Sequence, residues 1–338
     1  MVEDFGKTPD GETVRRVRIT GGGLTAALLT WGAAIQDLRL DGHAAPLVLG
    51  FPDFQTYLDY PRYFGAIVGR FANRIANGRF TIDGRTHQAD TDFLGKHTLH
   101  GGSQGFAKRN WTIEDQGADF VRLSYVSPDG EMGFPGTLKA SATYRMTGEG
   151  RMTVEMEATT DAPTLCNLSQ HSYFNLDDGG ATPVTDHSFR IAADHYLPVD
   201  DEMIPTGEIA DVSGTRFDFR DMHPIRNRAD NGGHAFYDHN YCLGREKTPL
   251  RPILALKGAR SGVTLAMSST EPGLQFYDGV GIPEDLPGLD GITYQPYSAL
   301  CLEPQVWPDA PNRPGFPQAW LRPGERYRNV IEYGFARN

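Results

Sequence analysis

Between residues 137 and 158 the chain alternates with a period of two, and this constrains its fold more than any other feature. Leu138, Ala140, Ala142, Tyr144 and Met146 are interleaved with Thr137, Lys139, Ser141, Thr143 and Arg145. Successive side chains of an extended strand point to opposite faces, so this spacing buries one face and wets the other. The Gly148-Glu149-Gly150 turn leads into Met152, Val154, Met156 and Ala158, spaced the same way. The segment predicts a half-buried antiparallel hairpin. Ile75-Ala76-Asn77-Gly78-Arg79-Phe80 predicts another, because Asn-Gly accepts the positive φ angles of a two-residue hairpin turn. Asp83-Gly84 marks the next reversal.

Helix signals are sparse. Pro52 to Tyr60 accommodates two turns, but no long segment carries an apolar stripe of period 3.6. The 39 glycines and 23 prolines suit many strands joined by tight turns. No linker, charge block or short repeat interrupts the chain, so residues 1–338 are expected to form one all-β domain. The expected architecture is a large antiparallel β-sandwich, with a strand order that the alternation does not determine.

A net charge of −11 argues against nucleic acid or an anionic membrane as the main partner. Cys166, Cys242 and Cys301 are too few and too scattered for a disulfide framework or zinc finger, and are expected to be buried, reduced thiols. The start, Met1-Val2-Glu3-Asp4-Phe5, has neither the basic residues nor the apolar run of a secretory signal. The apolar segment from Leu24 to Ile35 falls short of the ~20 residues that cross a bilayer. A cytoplasmic protein is expected, as a monomer or homodimer.

Four segments gather polar groups. In Gly69-Arg70-Phe71-Ala72-Asn73-Arg74-Ile75, Asn73 and Arg74 offer amide and guanidinium donors suited to hydroxyl groups. The plainer reading makes Arg70, Arg74 and Arg79 ordinary solvated or paired arginines. His97-Thr98-Leu99-His100-Gly101-Gly102 suits ligand contacts, a metal or a turn; the absence of an HExxH pattern weighs against metal. From Asn167 to Leu176, period two puts Asn167, Ser169, His171 and Tyr173 on one face, which needs buried partners or a wet cleft. A histidine there can exchange a proton near neutral pH, or be a core residue bonded to backbone. Glu303 follows the apolar run Ala299 to Leu302, as if at the end of a buried strand, where burial raises a carboxyl pKa toward use as a base. Asp238 is a second candidate carboxylate, and Thr270-Glu271-Pro272-Gly273-Leu274-Gln275-Phe276-Tyr277 adds an amide and aromatic rings.

Six motifs in order resemble the galactose mutarotase (aldose 1-epimerase) family: GRFANRIANGRF at 69–80, LHGG at 99–102, HSYFNL ending at Leu176, DHNYCL at 238–243, TEPGLQFY at 270–277 and LEPQVWPDAPN at 302–312. The resemblance implies a galactose mutarotase-like sandwich that interconverts the α and β anomers of free aldoses such as glucose and galactose, without cofactor or metal. It makes Glu303 the general base and His171 the general acid, with Asn73, Arg74, His100, Asp238 and Gln275 as sugar contacts. His100 is also implied as an aid at the ring oxygen. Two departures stand out. Ser169-Gln170 replaces the usual Thr-Asn before the histidine, and Asp278-Gly279-Val280-Gly281-Ile282 follows Tyr277 where Gly-Asn is common.

Three rival readings fit the same residues. A hexose-6-phosphate epimerase should carry further arginines for the phosphate. A glycosidase could pair Glu303 with Asp238. A non-catalytic sugar-binding sandwich would need no matched acid and base.

Overall fold

The computed structural model describes residues 1–226 and 236–337. The 137–158 alternation becomes the hairpin of strands Leu138–Gly148 and Arg151–Thr160, in register from Leu138 opposite Thr160 to Met146 opposite Met152. Every apolar residue of the alternating set is buried, as period two requires. This hairpin lies within a nine-stranded antiparallel sheet. Its order runs Thr112–Gln116, Phe120–Ser127, Leu138–Gly148, Arg151–Thr160, Tyr327–Arg337, Val263–Ser269, Arg251–Lys257, Ser188–Ile191, His223–Pro224.

A six-stranded antiparallel sheet runs in the order Tyr173–Phe174, Leu300–Gln305, Gly273–Tyr277, Asp238–Cys242, His195–Tyr196, Ala210–Asp211. Leu274, Phe276, Leu300 and Leu302 from this sheet join Tyr144, Val154, Leu265 and Ile331 from the nine-stranded one in a single apolar cluster. Phe189 and Phe276 meet across the two sheets with ring centroids 4.8 Å apart. The two layers therefore form a β-sandwich, whose removal of apolar surface from water, at about 25 cal/mol per Å², is its main support. A third sheet, Val2–Lys7, Thr13–Gly21, Leu24–Leu29 and Ile35–Leu40, adds Val17, Ile19 and Leu28 to the same cluster. The buried Tyr144 hydroxyl ties it to the sandwich by donating to the Ala33 carbonyl at 2.6 Å.

The short helix expected after Pro52 spans Phe54–Asp59, capped by an Asp53 carboxylate that accepts from the Thr56 amide. The second hairpin is not formed. Asn77 and Gly78 do take positive φ, but Arg74–Ile75 pairs with Thr98–Leu99, and Arg79–Ile82 pairs with Arg85–Gln88 across the Asp83-Gly84 turn. Turn chemistry is local, whereas the choice of strand partner is not. Cys166, Cys242 and Cys301 are free; Cys242 is only partly buried. Among the described residues, no helix is long and apolar enough to cross a membrane.

Candidate active site

One face of the six-stranded sheet is polar because its register aligns the right residues. Gln275 lies opposite Glu303, and Asn240 opposite Gln275. Asp238 is two residues from Asn240 and so shares its face. The alternate residues, Leu274, Phe276 and Leu302, turn to the core. Three strands far apart in sequence thus present Asp238, Gln275 and Glu303 together. Glu303 lies inside the strand Leu300–Gln305, not at its end, and is almost fully buried.

A second group faces this sheet from the loops at 69–74 and 99–102. The Asn73 amide donates to His100 Nδ1 at 3.1 Å, and the His100 amide donates to the Asn73 carbonyl at 3.0 Å. Both residues have left-handed backbones, φ +64° and +50°. Gly101 makes this embrace possible: a Cβ there would lie 1.9 Å from the Gly69 carbonyl oxygen, and its φ is +89°. Arg74 donates to Asp238 Oδ2 at 2.9 Å, and Gln275 Nε2 donates to Asp238 Oδ1 at 2.5 Å. Asp309 steadies the same loop by donating its amide to the Arg74 carbonyl and accepting from the Ala76 amide.

His171 ends the short strand Ser169–His171, and its Nε2 lies 3.6 Å from Glu303 Oε1. One donor atom from each of His100, His171 and Glu303 falls within 4.8 Å of the others. Burial raises the Glu303 pKa well above the usual carboxyl value, Asp238 adds to the rise, and Arg74 opposes it. Burial lowers His171 to about 4, against a smaller upward pull from Asp238. His100 is lowered well below its ordinary value by burial, then by His171 and Arg74. Both members of the close pair are thus pushed toward their uncharged forms. With one proton between them, their net charge is zero whichever of them carries it.

All seven residues singled out from the sequence, Asn73, Arg74, His100, His171, Asp238, Gln275 and Glu303, meet in this one region. Arg74 Nε, His171 Nδ1, Gln275 Oε1 and Glu303 Oε2 are buried without a hydrogen-bond partner in the protein. Leaving such groups unpaired costs ~1–3 kcal/mol each, and a ligand rich in hydroxyls, both donor and acceptor, could satisfy them. His97 does not share the site's bonds. Its Nδ1 accepts from the Asn77 amide and its Nε2 faces Glu202 at 3.2 Å, so its nitrogens brace the loop.

Arg70 also departs from the expectation of a solvated or paired arginine. It is 2% exposed, and its guanidinium donates to Ser127 Oγ and to the carbonyls of Ser127, Pro128, Pro135 and Gly136. Gln170 points away from the site as expected, donating to the Gly65 carbonyl and accepting from the Ser172 amide and Tyr333 hydroxyl. Asp278 latches its loop by accepting from the Tyr237 and Val280 amides. The sequence reading missed Tyr63, whose ring lies 4.6 Å from His100 and 5.6 Å from His171. Only the aromatic cluster Tyr60-Pro61-Arg62-Tyr63-Phe64 could have drawn notice to it.

A β-sandwich that sets one buried carboxyl beside one buried imidazole, amid unpaired polar groups, defines a proton-transfer site for a polar small molecule. The aldose 1-epimerase family profile matches residues 15–334. The chain is 41% identical to galactose mutarotase of Mus musculus, with 98% of this chain and 97% of that one covered. It is 37% identical to aldose 1-epimerase of Escherichia coli, over 97% and 96% of the two chains. The solved structure of a GalM/aldose epimerase homologue from C. elegans matches with a TM-score of 0.88 at 32% identity, covering 95% of this chain and 98% of that one. The chain belongs to the aldose 1-epimerase family, and it is an isomerase.

Proposed function

We propose that Glu303 and His171 are the acid–base pair with which this aldose 1-epimerase interconverts the α and β anomers of a free aldohexose such as glucose or galactose. The observation that carries this reading is the 3.6 Å approach of a buried carboxyl to a buried imidazole. Ring opening needs a proton taken from O1 and one delivered to O5. Glu303 as carboxylate accepts the O1 proton while C1 becomes a carbonyl. The C1–O5 bond breaks, and O5 takes its proton from His171. Rotation about C1–C2 presents the other face of the aldehyde. On closure Glu303 returns a proton to O1, and His171 recovers the one on O5.

The pair holds one proton both before and after opening. Opening moves the pair from carboxylate and imidazolium to carboxyl and neutral imidazole, which is the state that desolvation favours. Asn73, Arg74, His100, Asp238 and Gln275 would hold the hydroxyls, with His100 near enough to His171 to assist at O5. Orientation of this kind supplies the remainder of the acceleration. The chemistry calls for no cofactor or metal. Residues 1–338 would act as one domain in the cytoplasm, as a monomer or homodimer, with no nucleic acid or membrane partner.

Polarimetry on freshly dissolved α-D-glucose and α-D-galactose tests the reading. The protein should speed the approach to equilibrium rotation without changing its endpoint. Binding of either sugar with no effect on that rate would leave only a sugar-binding sandwich.

A further inference from the structure

His171 has few polar restraints. Its Nδ1 has no hydrogen-bond partner in the protein, and its Nε2 faces Glu303 at 3.6 Å. The rest of the ring is enclosed by His100, Tyr173 and Tyr63, with centroids at 5.1, 5.2 and 5.6 Å. Tyr63 alone among the two tyrosines also packs on His100, at 4.6 Å. Its φ of +65° is one that a bulky residue seldom adopts, so its neighbours must hold it there.

They do so through a bonded seam. The Tyr173 hydroxyl donates to the Arg62 carbonyl at 3.1 Å, and the Ala66 amide donates to the Tyr63 carbonyl at 3.0 Å. The Gly65 amide donates to the His171 carbonyl at 3.0 Å, while Gln170 Nε2 donates to the Gly65 carbonyl at 2.7 Å. Gly65 itself has φ +69°, and a Cβ there would lie 2.0 Å from the Ile35 carbonyl oxygen. The backbone that carries Tyr63 is thus stitched to the strand that carries His171. Gln170, the departure from the family's usual Thr-Asn, supplies one of the stitches.

We propose that Tyr63 is a positioning residue whose ring fixes the plane of His171 and keeps water from it. The proposal rests on the reading of His171 as the acid that serves O5. The ring does this work, not the hydroxyl. Tyr63 and Tyr173 face His171 as neutral groups, as does His100, which burial keeps uncharged. Glu303 and Asp238 are the carboxyl groups that act on this region, with Arg74 the nearby cation. The dry enclosure is what lowers His171 to about 4.

Three variants separate ring from hydroxyl. Tyr63→Phe keeps the ring; Tyr63→Asn removes it with a residue that tolerates the left-handed backbone, and Tyr63→Gly does so with no steric strain at that φ. Tyr63→Phe should keep kcat within about threefold, while the folded ringless variants lose kcat roughly 10- to 100-fold with KM changed by less than about threefold. Heteronuclear NMR of the imidazole, assigned by comparison with His171→Asn, should show His171 titrating about one pH unit or more higher in the ringless variants, because water then reaches it. In Tyr63→Phe the titration should stay in place. Equal losses in Tyr63→Phe and Tyr63→Asn would overturn the proposal, and so would a folded ringless variant with unchanged kcat and unchanged His171 titration. The NMR measurement needs no sugar. Failure of the Tyr63 inference is therefore distinct from failure of the acid assignment, which would appear as full mutarotation by His171→Asn.

Discussion

The Arg74–Asp238 pair allows a prediction whose size follows from its burial. Their side chains are 8% and 14% exposed and meet at 2.9 Å, so neither is a solvent-screened surface charge. Arg74→Met retains an unbranched stem against Phe93, over whose ring the guanidinium now sits at 4.7 Å. It leaves Asp238 with the Gln275 amide but no cation. Removing one member of a buried pair typically costs ~3–5 kcal/mol, mostly from the charge left behind. At about 2.1 cal/mol/K per residue, 338 residues unfold with an entropy of roughly 0.7 kcal/mol/K, so Tm should fall by about 4–7 °C. Adding Asp238→Asn removes the stranded charge while keeping an oxygen for Gln275, and the double variant should recover about half the loss or more. Differential scanning fluorimetry of wild type, both singles and the double gives the complete cycle. A Tm drop below about 1 °C in Arg74→Met, or a double variant no more stable than that single, would refute the reasoning.

Three further outcomes follow from the same geometry. The acid limb of kcat/KM should lie near pH 4, where His171 titrates, because below it the pair gains a second proton and loses its base; a limb at 6.5, the value of a free histidine, would contradict this. Exhaustive chelation should leave mutarotation at the untreated rate, and a loss restored by a divalent ion would show that His100, His171 and Glu303 grip a metal instead. Burial raises Asp278 from 3.8 to about 7, so the folded chain holds that proton more tightly and its contribution to stability declines as pH rises from 3.8 to about 7. Asp278→Asn should therefore compare more favourably with wild type at pH 8 than at pH 5 in thermal melts, and an equal Tm difference at both pH values would count against it.

Local periodicity made the Leu138–Thr160 hairpin legible, since Tyr144 and Val154 show their burial by spacing alone. The Asp53-capped helix was legible for the same reason: its determinants are near neighbours in sequence. The Asn77-Gly78 turn shows the limit, because its φ angles came out as expected while its flanking strands found partners elsewhere. Arg70 is opaque to sequence in the same way, since carbonyls from 127–136 converge on it only after folding. In the site, the motifs named the residues, but the register that places Gln275 opposite Glu303 emerges only from sheet pairing. Tyr63 carries no motif; its role comes from a left-handed backbone held by Gly65, Gln170 and Tyr173.

The central claim is that Glu303 takes the O1 proton while His171 supplies one to O5. Polarimetry of α-D-glucose and α-D-galactose with Glu303→Gln and His171→Asn beside wild type tests it most directly. Each variant should remain folded and lose roughly 10²–10⁴-fold in rate, the usual worth of a positioned acid or base. A folded Glu303→Gln protein that mutarotates at close to the wild-type rate would contradict the account.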